Sequence, residues 1–95
     1  MKLSIIIPTC NRLESLARLL KALVPDIAGY EGGTSTEIII VDDASDEACS
    51  VQLNRLRGAH PDTNLHLHRR PHRGGPSAAR NSGIAAAQGD VLAFI

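Results

Sequence analysis

Residues 38–45 read IIIVDDAS, four β-branched residues in a row and then two adjacent carboxylates. An apolar run without polar alternation fits a strand covered on both faces, as in a parallel sheet clothed by helices. Its abrupt polar end puts Asp42 and Asp43 where the strand leaves the core. Like charges repel there, and neither carboxylate has an obvious cationic partner nearby in sequence.

Working outward, LSIIIP (3–8) is a second run of the same kind, bounded by Pro8. In NRLESLARLLKALVP, Leu16, Leu19, Leu20 and Leu23 recur at helical spacing. Asn11 and Glu14 resemble a capping box, Glu14 and Arg18 form an i,i+4 pair, and Pro25 is the expected stop. Residues 25–36, with three glycines, read as a loop. After the strand at 37–42, Ser45 is the expected N-cap of a helix, with Asp46 and Glu47 in its first turn and Gly58 at its end. NLHLHR (64–69) alternates strictly, with Leu65 and Leu67 on one side and His66 and His68 on a wet side. PHRGGP is a loop, SAARNSGIAAAQ an Ala-rich helix ending at Gly89, and DVLAFI (90–95) a fourth buried strand. No internal repeat, low-complexity tract or linker interrupts the pattern.

The alternation βαβαβαβ implies an open, mostly parallel α/β sheet with right-handed helical crossovers on both faces. Ninety-five residues form one domain at most. Aromatics make up only 2%, Tyr30 and Phe94, so the core is aliphatic. Hydrophobic content of 43% and charged content of 21% argue against disorder. No apolar run approaches the roughly 18 residues of a transmembrane helix, and Pro8 and Asn11 cut the N-terminal stretch too short for a signal peptide. The chain therefore reads as cytoplasmic, with membrane association of a longer parent left open. Net charge is zero, which removes any bulk argument for nucleic acid. Charge is nevertheless segregated: residues 37–47 hold five acids and no base, and residues 66–80 hold four arginines, three histidines and no acid. Cys10 and Cys49 match no metal or redox spacing and read as reduced thiols. The histidines read as wet-face residues, and the arginine run at 69–73 as solvated loop, with a positive field for a diphosphate as its alternative.

In open α/β sheets ligands collect beyond the carboxyl ends of the strands. That rule puts PTCNR, DDAS and the HRGGP loop at a ligand rim, and the two aspartates at that rim rather than in the core. Neither G-x-G-x-x-G nor G-x-x-x-x-G-K-[ST] is present, so phosphates must be held in another way.

SIIIPTCNR, EIIIVDDAS and GGPSAARNSGIAAAQGDVLAFI, in that order, resemble the N-terminal half of an inverting family 2 glycosyltransferase of the GT-A fold. The resemblance spans nearly the whole chain. It implies a Rossmann-like GT-A half-domain with strand order 3-2-1-4, from a family whose full-length members transfer a sugar from a nucleotide diphosphate sugar, most often UDP-linked, with a divalent metal, Mg²⁺ or Mn²⁺. It also implies that Pro8, Thr9, Asn11 and Arg12 pack around base and ribose, and that Asp43 accepts the N3–H of uracil. An ionised carboxylate is acceptor-only and suits that role. Asp42 is expected to tether neighbouring turn groups, or both aspartates to cap the turn into the Ser45 helix. Gly74 and Gly75 match a flexible stretch where backbone approaches the ligand. Arg80 matches a position near base or diphosphate, or else forms a salt bridge to Asp42 or Asp43.

The family's Asp-x-Asp metal motif would begin just past Ile95, and its catalytic base lies further on. Residues 1–95 are thus expected to form the nucleotide-binding portion of an incomplete domain that binds no metal alone and lacks transferase activity. A stand-alone nucleotide-binding or regulatory module is the alternative. The unpaired apolar edge of strand 90–95 is expected to drive self-association.

Overall fold

In a computed structural model, described over residues 2–29 and 36–95, three helices alternate with four strands. The order is β1 (Leu3–Thr9), α1 (Leu13–Gly29), β2 (Thr36–Asp42), α2 (Glu47–Gly58), β3 (Leu65–Arg69), α3 (Pro76–Ala86) and β4 (Val91–Phe94). The strands form one sheet in the order β3-β2-β1-β4, parallel at every pairing. The expected α/β fold and strand order 3-2-1-4 are the observed ones.

The core follows from strand parity. Successive side chains on a strand point to opposite faces. Ile5, Ile7, Ile38, Ile40 and Leu65 therefore share one face, which α1 and α2 cover with Leu16, Leu20 and Leu53. Ile6, Ile39 and Val41 share the other, beneath Ala79 of α3. Every residue of β2 is buried, as its unbroken apolar reading requires. On β3, Leu65 is buried while His66 and His68 are exposed, as the alternation predicts.

Several local expectations are corrected. Pro25 does not stop α1, which continues to Gly29 with the proline inside it. Ile27, beyond the proline, packs against the α1–α2 core, and that burial outweighs the hydrogen bond a proline cannot donate. The loop expected at 25–36 therefore loses its first residues to the helix, and residues 30–35 of that stretch lie outside the described residues. Asn11 does not cap α1; its carboxamide Oδ1 accepts the Asp46 N–H instead. The N-cap of α2 is Asp46, not Ser45: the Asp46 carboxylate accepts the Cys49 N–H at 2.8 Å, while Ser45 is buried one residue earlier. Gly58 closes the last turn of α2 and Ala59 caps it. α3 ends at Ala86, short of Gly89, because Gln88 and Gly89 turn their N–H groups onto Glu37 and Ser4.

β4 is paired to β1 but not buried. Val91, Leu92, Phe94 and Ile95 are 42%, 37%, 47% and 52% exposed. An apolar tetrapeptide reads the same whether one neighbour or two flank it, and here it forms the sheet edge.

A buried polar cluster marks the amino end of the sheet. Glu37 accepts the Ser4 hydroxyl and the Gln88 N–H, and Ser4 Oγ accepts the Gly89 N–H. His66 Nε2 lies 3.8 Å from Glu37. Burial alone would raise the Glu37 pKa, but the Ser4 and Gln88 hydrogen bonds, with Lys2 and His66, hold it below the usual range.

Candidate functional site at the carboxyl end of the sheet

The two aspartates are nearly fully buried, Asp42 at 1% and Asp43 at 4% exposed, which corrects the expectation that they sit outside the core. They stand at the expected carboxyl end of β2, but loops from later in the chain close over them. Adjacent strand positions face opposite ways, so the carboxylates diverge rather than clash. On the α1–α2 face, Asp42 Oδ1 accepts the Ser45 N–H at 2.9 Å and Oδ2 accepts Arg69 Nη1 at 3.2 Å. Arg69 Nη2 also donates to the Ser45 carbonyl at 2.8 Å. On the α3 face, Asp43 Oδ1 accepts Arg70 Nε at 2.9 Å and the Gly74 N–H at 3.0 Å. Its Oδ2 accepts the Gly75 N–H at 2.8 Å.

The base-only segment thus supplies the partners that the acid-only segment lacks. Arg69 and Arg70 are not solvated loop, and they occupy the salt bridges that were one reading of Arg80. The Gly74 N–H leads the groups that lower the Asp43 pKa, joined by the Gly75 N–H and Arg70 against the opposing effect of burial. Gly75, the N-cap of α3, has φ +88°, a left-handed conformation that lets its N–H turn toward the carboxylate. Arg70 also donates to the Ala78 carbonyl and to Ser82 Oγ, tying the end of β3 to α3 through Asp43's partner.

A second set of bonds locks the loop after β1 to the loop after β2. The Asn11 N–H donates to Ser45 Oγ at 2.9 Å while Asn11 Oδ1 accepts the Asp46 N–H at 2.9 Å. The two loops turn through non-glycine residues of positive φ, Asn11 at 51° and Ala44 at 57°. Such strain persists only where surrounding contacts hold it, and it clusters at ligand clamps.

Between these loops and α3 opens a cavity of about 370 Å³ lined by Pro8, Thr9, Cys10, Arg12, Asp43, Pro76, Ala79, Arg80 and Ile95. Its size falls within the usual range for small-molecule sites. Pro8, Thr9, Arg12, Asp43 and Arg80, all singled out from sequence, meet there. Asn11, Asp42 and Gly75 do not line it; Asn11 is the loop latch, Asp42 serves the opposite face, and Gly75 holds Asp43. Sequence reasoning put the segments holding Cys10 and Pro76 at this rim without singling the two out, and missed Ala79 and Ile95 as lining and Arg70 as the organiser of Asp43. The segregation of charge between residues 37–47 and 66–80 was the available signal for Arg70.

The donor set does not suit a divalent cation. Among the described residues no three His, Cys, Asp or Glu side chains gather around a common point. Asp42 and Asp43 direct their oxygens at N–H groups and guanidinium ions, which would repel a metal. Nor is any helix among the described residues long and apolar enough to cross a membrane.

A parallel sheet with a polar-rimmed cavity beyond its carboxyl ends defines the class: an open α/β ligand-binding domain. The chain belongs to glycosyl transferase family 2, whose sequence model matches residues 4–95. The pre-mycofactocin glycosyltransferase of Mycobacterium tuberculosis is 37% identical over 92 residues, covering 97% of this chain and 17% of that protein. The chain therefore spans less than a fifth of that curated relative. Among solved structures, the mannosyltransferase PcManGT from Pyrobaculum calidifontis, in complex with GDP-Man and Mn²⁺, is similar with TM-score 0.74 and 27% identity, over 96% of this chain and 26% of that one. A structure of S. aureus TarS in complex with UDP is similar with TM-score 0.70 and 26% identity, over 100% of this chain and 27% of that one.

Proposed function

We propose that residues 1–95 are the donor-nucleotide-binding portion of an inverting glycosyltransferase that takes its sugar from a UDP-sugar. The observation that carries this reading is the cavity that joins Asp43, Arg12 and Arg80 at the carboxyl ends of β1 and β2. Asp43 offers an ionised acceptor to a base N–H. Arg80, which forms no ion pair among the described residues, offers a guanidinium to the diphosphate. Thr9 and Pro8 line the same cavity and supply walls for the base and ribose. The UDP complex of TarS supports the choice of nucleotide.

In this reading the chain binds and orients the donor nucleotide and performs no proton transfer. Asp42 and Asp43, the buried acids at this end, are committed to cationic and N–H partners and are poorly placed as general bases for an acceptor hydroxyl. The 95-residue chain alone should therefore show no sugar transfer. The fit of its own residues gives no step to a metal. We further propose that the exposed edge of β4 pairs with the same edge of a second copy.

Isothermal titration of the chain with UDP tests the nucleotide reading. Binding should be weak but measurable, and Arg80→Gln should weaken it about tenfold, the worth of one charge-assisted contact. Arg18→Gln, outside the cavity, should leave it unchanged. A folded chain that binds no UDP would sink the proposal.

A further inference from the structure

The Asp43 carboxylate has about four acceptor positions. Arg70 Nε and the Gly74 N–H fill both on Oδ1, and the Gly75 N–H fills one on Oδ2. Among the described residues that leaves one position, on Oδ2, at a residue that lines the cavity. Arg70 is itself held in place by Ser82 Oγ and the Ala78 carbonyl of α3, so the Oδ1 side stays closed.

We propose that Arg70 is a specificity-setting positioning residue: by closing Oδ1 it makes the cavity select a base presenting a single imide N–H, uracil or thymine, over guanine and cytosine. This rests on the nucleotide reading of the cavity. The reasoning is one of donor counting. Guanine presents two neighbouring donors, N1–H and the exocyclic amine, and needs both carboxylate oxygens to satisfy them. Cytosine presents an unprotonated N3 to the carboxylate, lone pair against lone pair. Uracil and thymine present one N–H flanked by carbonyls, which one open acceptor position satisfies. A desolvated donor left without a partner lowers affinity by a full hydrogen bond or more.

The test is isothermal titration of the chain with UDP, dTDP, CDP and GDP, for the native sequence, Arg70→Gln and Ser82→Ala, each checked for its folded spectrum. The native chain should bind UDP about tenfold or more tightly than GDP and CDP. Arg70→Gln should open Oδ1, narrowing the UDP-to-GDP gap several-fold while CDP stays weak. Ser82→Ala, which loosens Arg70 but keeps its contact with Asp43, should narrow the gap in the same direction and to a lesser degree. Binding of dTDP within a few-fold of UDP assigns the shared imide, and its failure assigns uracil alone. Equal weakening of UDP and GDP in both variants would mean that Arg70 only supports the fold, and would overturn the proposal; so would native GDP binding equal to UDP. If Arg70→Gln does not fold, an unchanged ratio in Ser82→Ala overturns it. A folded native chain that binds none of the four nucleotides removes the nucleotide reading itself, and this inference with it.

Discussion

Helix α3 lies so close on the sheet that a Cβ at residue 83 would run into the Ile6 side chain and reach 3.2 Å from Val41 Cγ2. Both neighbours are fully buried and cannot retreat into solvent. Gly83→Ala should therefore lower unfolding free energy by about 1–3 kcal/mol, despite the better helix propensity of alanine. Urea denaturation measures this, and a variant as stable as the native chain would mean that Ile6 and Val41 can make room for a methyl group at residue 83. At the same scale, the aspartate pair shows what sequence can and cannot reveal. That Asp42 and Asp43 end a buried strand was legible from the apolar run before them. Which groups neutralise them was not, because the partners lie 27 to 32 residues away and reach them only once β3 is in place. Likewise Ser45 and Asp46 are both good N-caps by type. Only the neighbouring Asn11, 34 residues away, decides that Ser45 is taken and Asp46 does the capping.

At the scale of elements, strand order and parity explain most of the burial. β2 is central and its seven residues are all buried; β3 and β4 flank the sheet and show it. The alternation in LHLHR announced the edge position of β3, whereas VLAF carries no such mark, so its pattern alone read as buried and only the strand order implied by the resemblance put β4 at an edge. The carboxylates at the two ends of β2 predict the response to acid. Glu37 and Asp43 both have pKa values held below those of the unfolded chain. A depressed folded-state pKa contributes stability that is present above the unfolded value and lost as pH falls through the folded one. Stability should thus hold from neutrality to about pH 5 and decline below about pH 4. In Glu37→Gln the decline should be shallower, because one of the two groups no longer titrates. Denaturation midpoints across pH 2.5–7 test this, and parallel curves for the two proteins would contradict it.

At the scale of the whole molecule, the outward edge of β4 matters most. Its residues Val91, Leu92 and Phe94 are among the exposed large hydrophobic side chains of the chain, and an unpaired apolar edge templates further pairing. Edge-to-edge pairing of two copies about a two-fold axis is the simplest way to cover it. Sedimentation velocity should show a coefficient that rises with concentration, and Phe94→Lys should return the chain to a single slow boundary. A native chain that sediments as a monomer at all concentrations would refute the pairing.

The polar ends of β2 have one more consequence. Ile38 to Val41 are so alike that β2 could slide by two residues against β1 and β3 together, and every side chain would keep its face and most of its apolar contacts. Such a slip would carry Glu37 away from Ser4 and Gln88 at one end, and Asp42 and Asp43 away from their arginines at the other. Charged groups would be stranded in a dry interior. The acids therefore act as a reading frame for an otherwise featureless strand, rejecting misaligned sheets during folding. Asp43, which lines the cavity, thus also marks where β2 ends, and Glu37 at the opposite end of the strand marks where it begins.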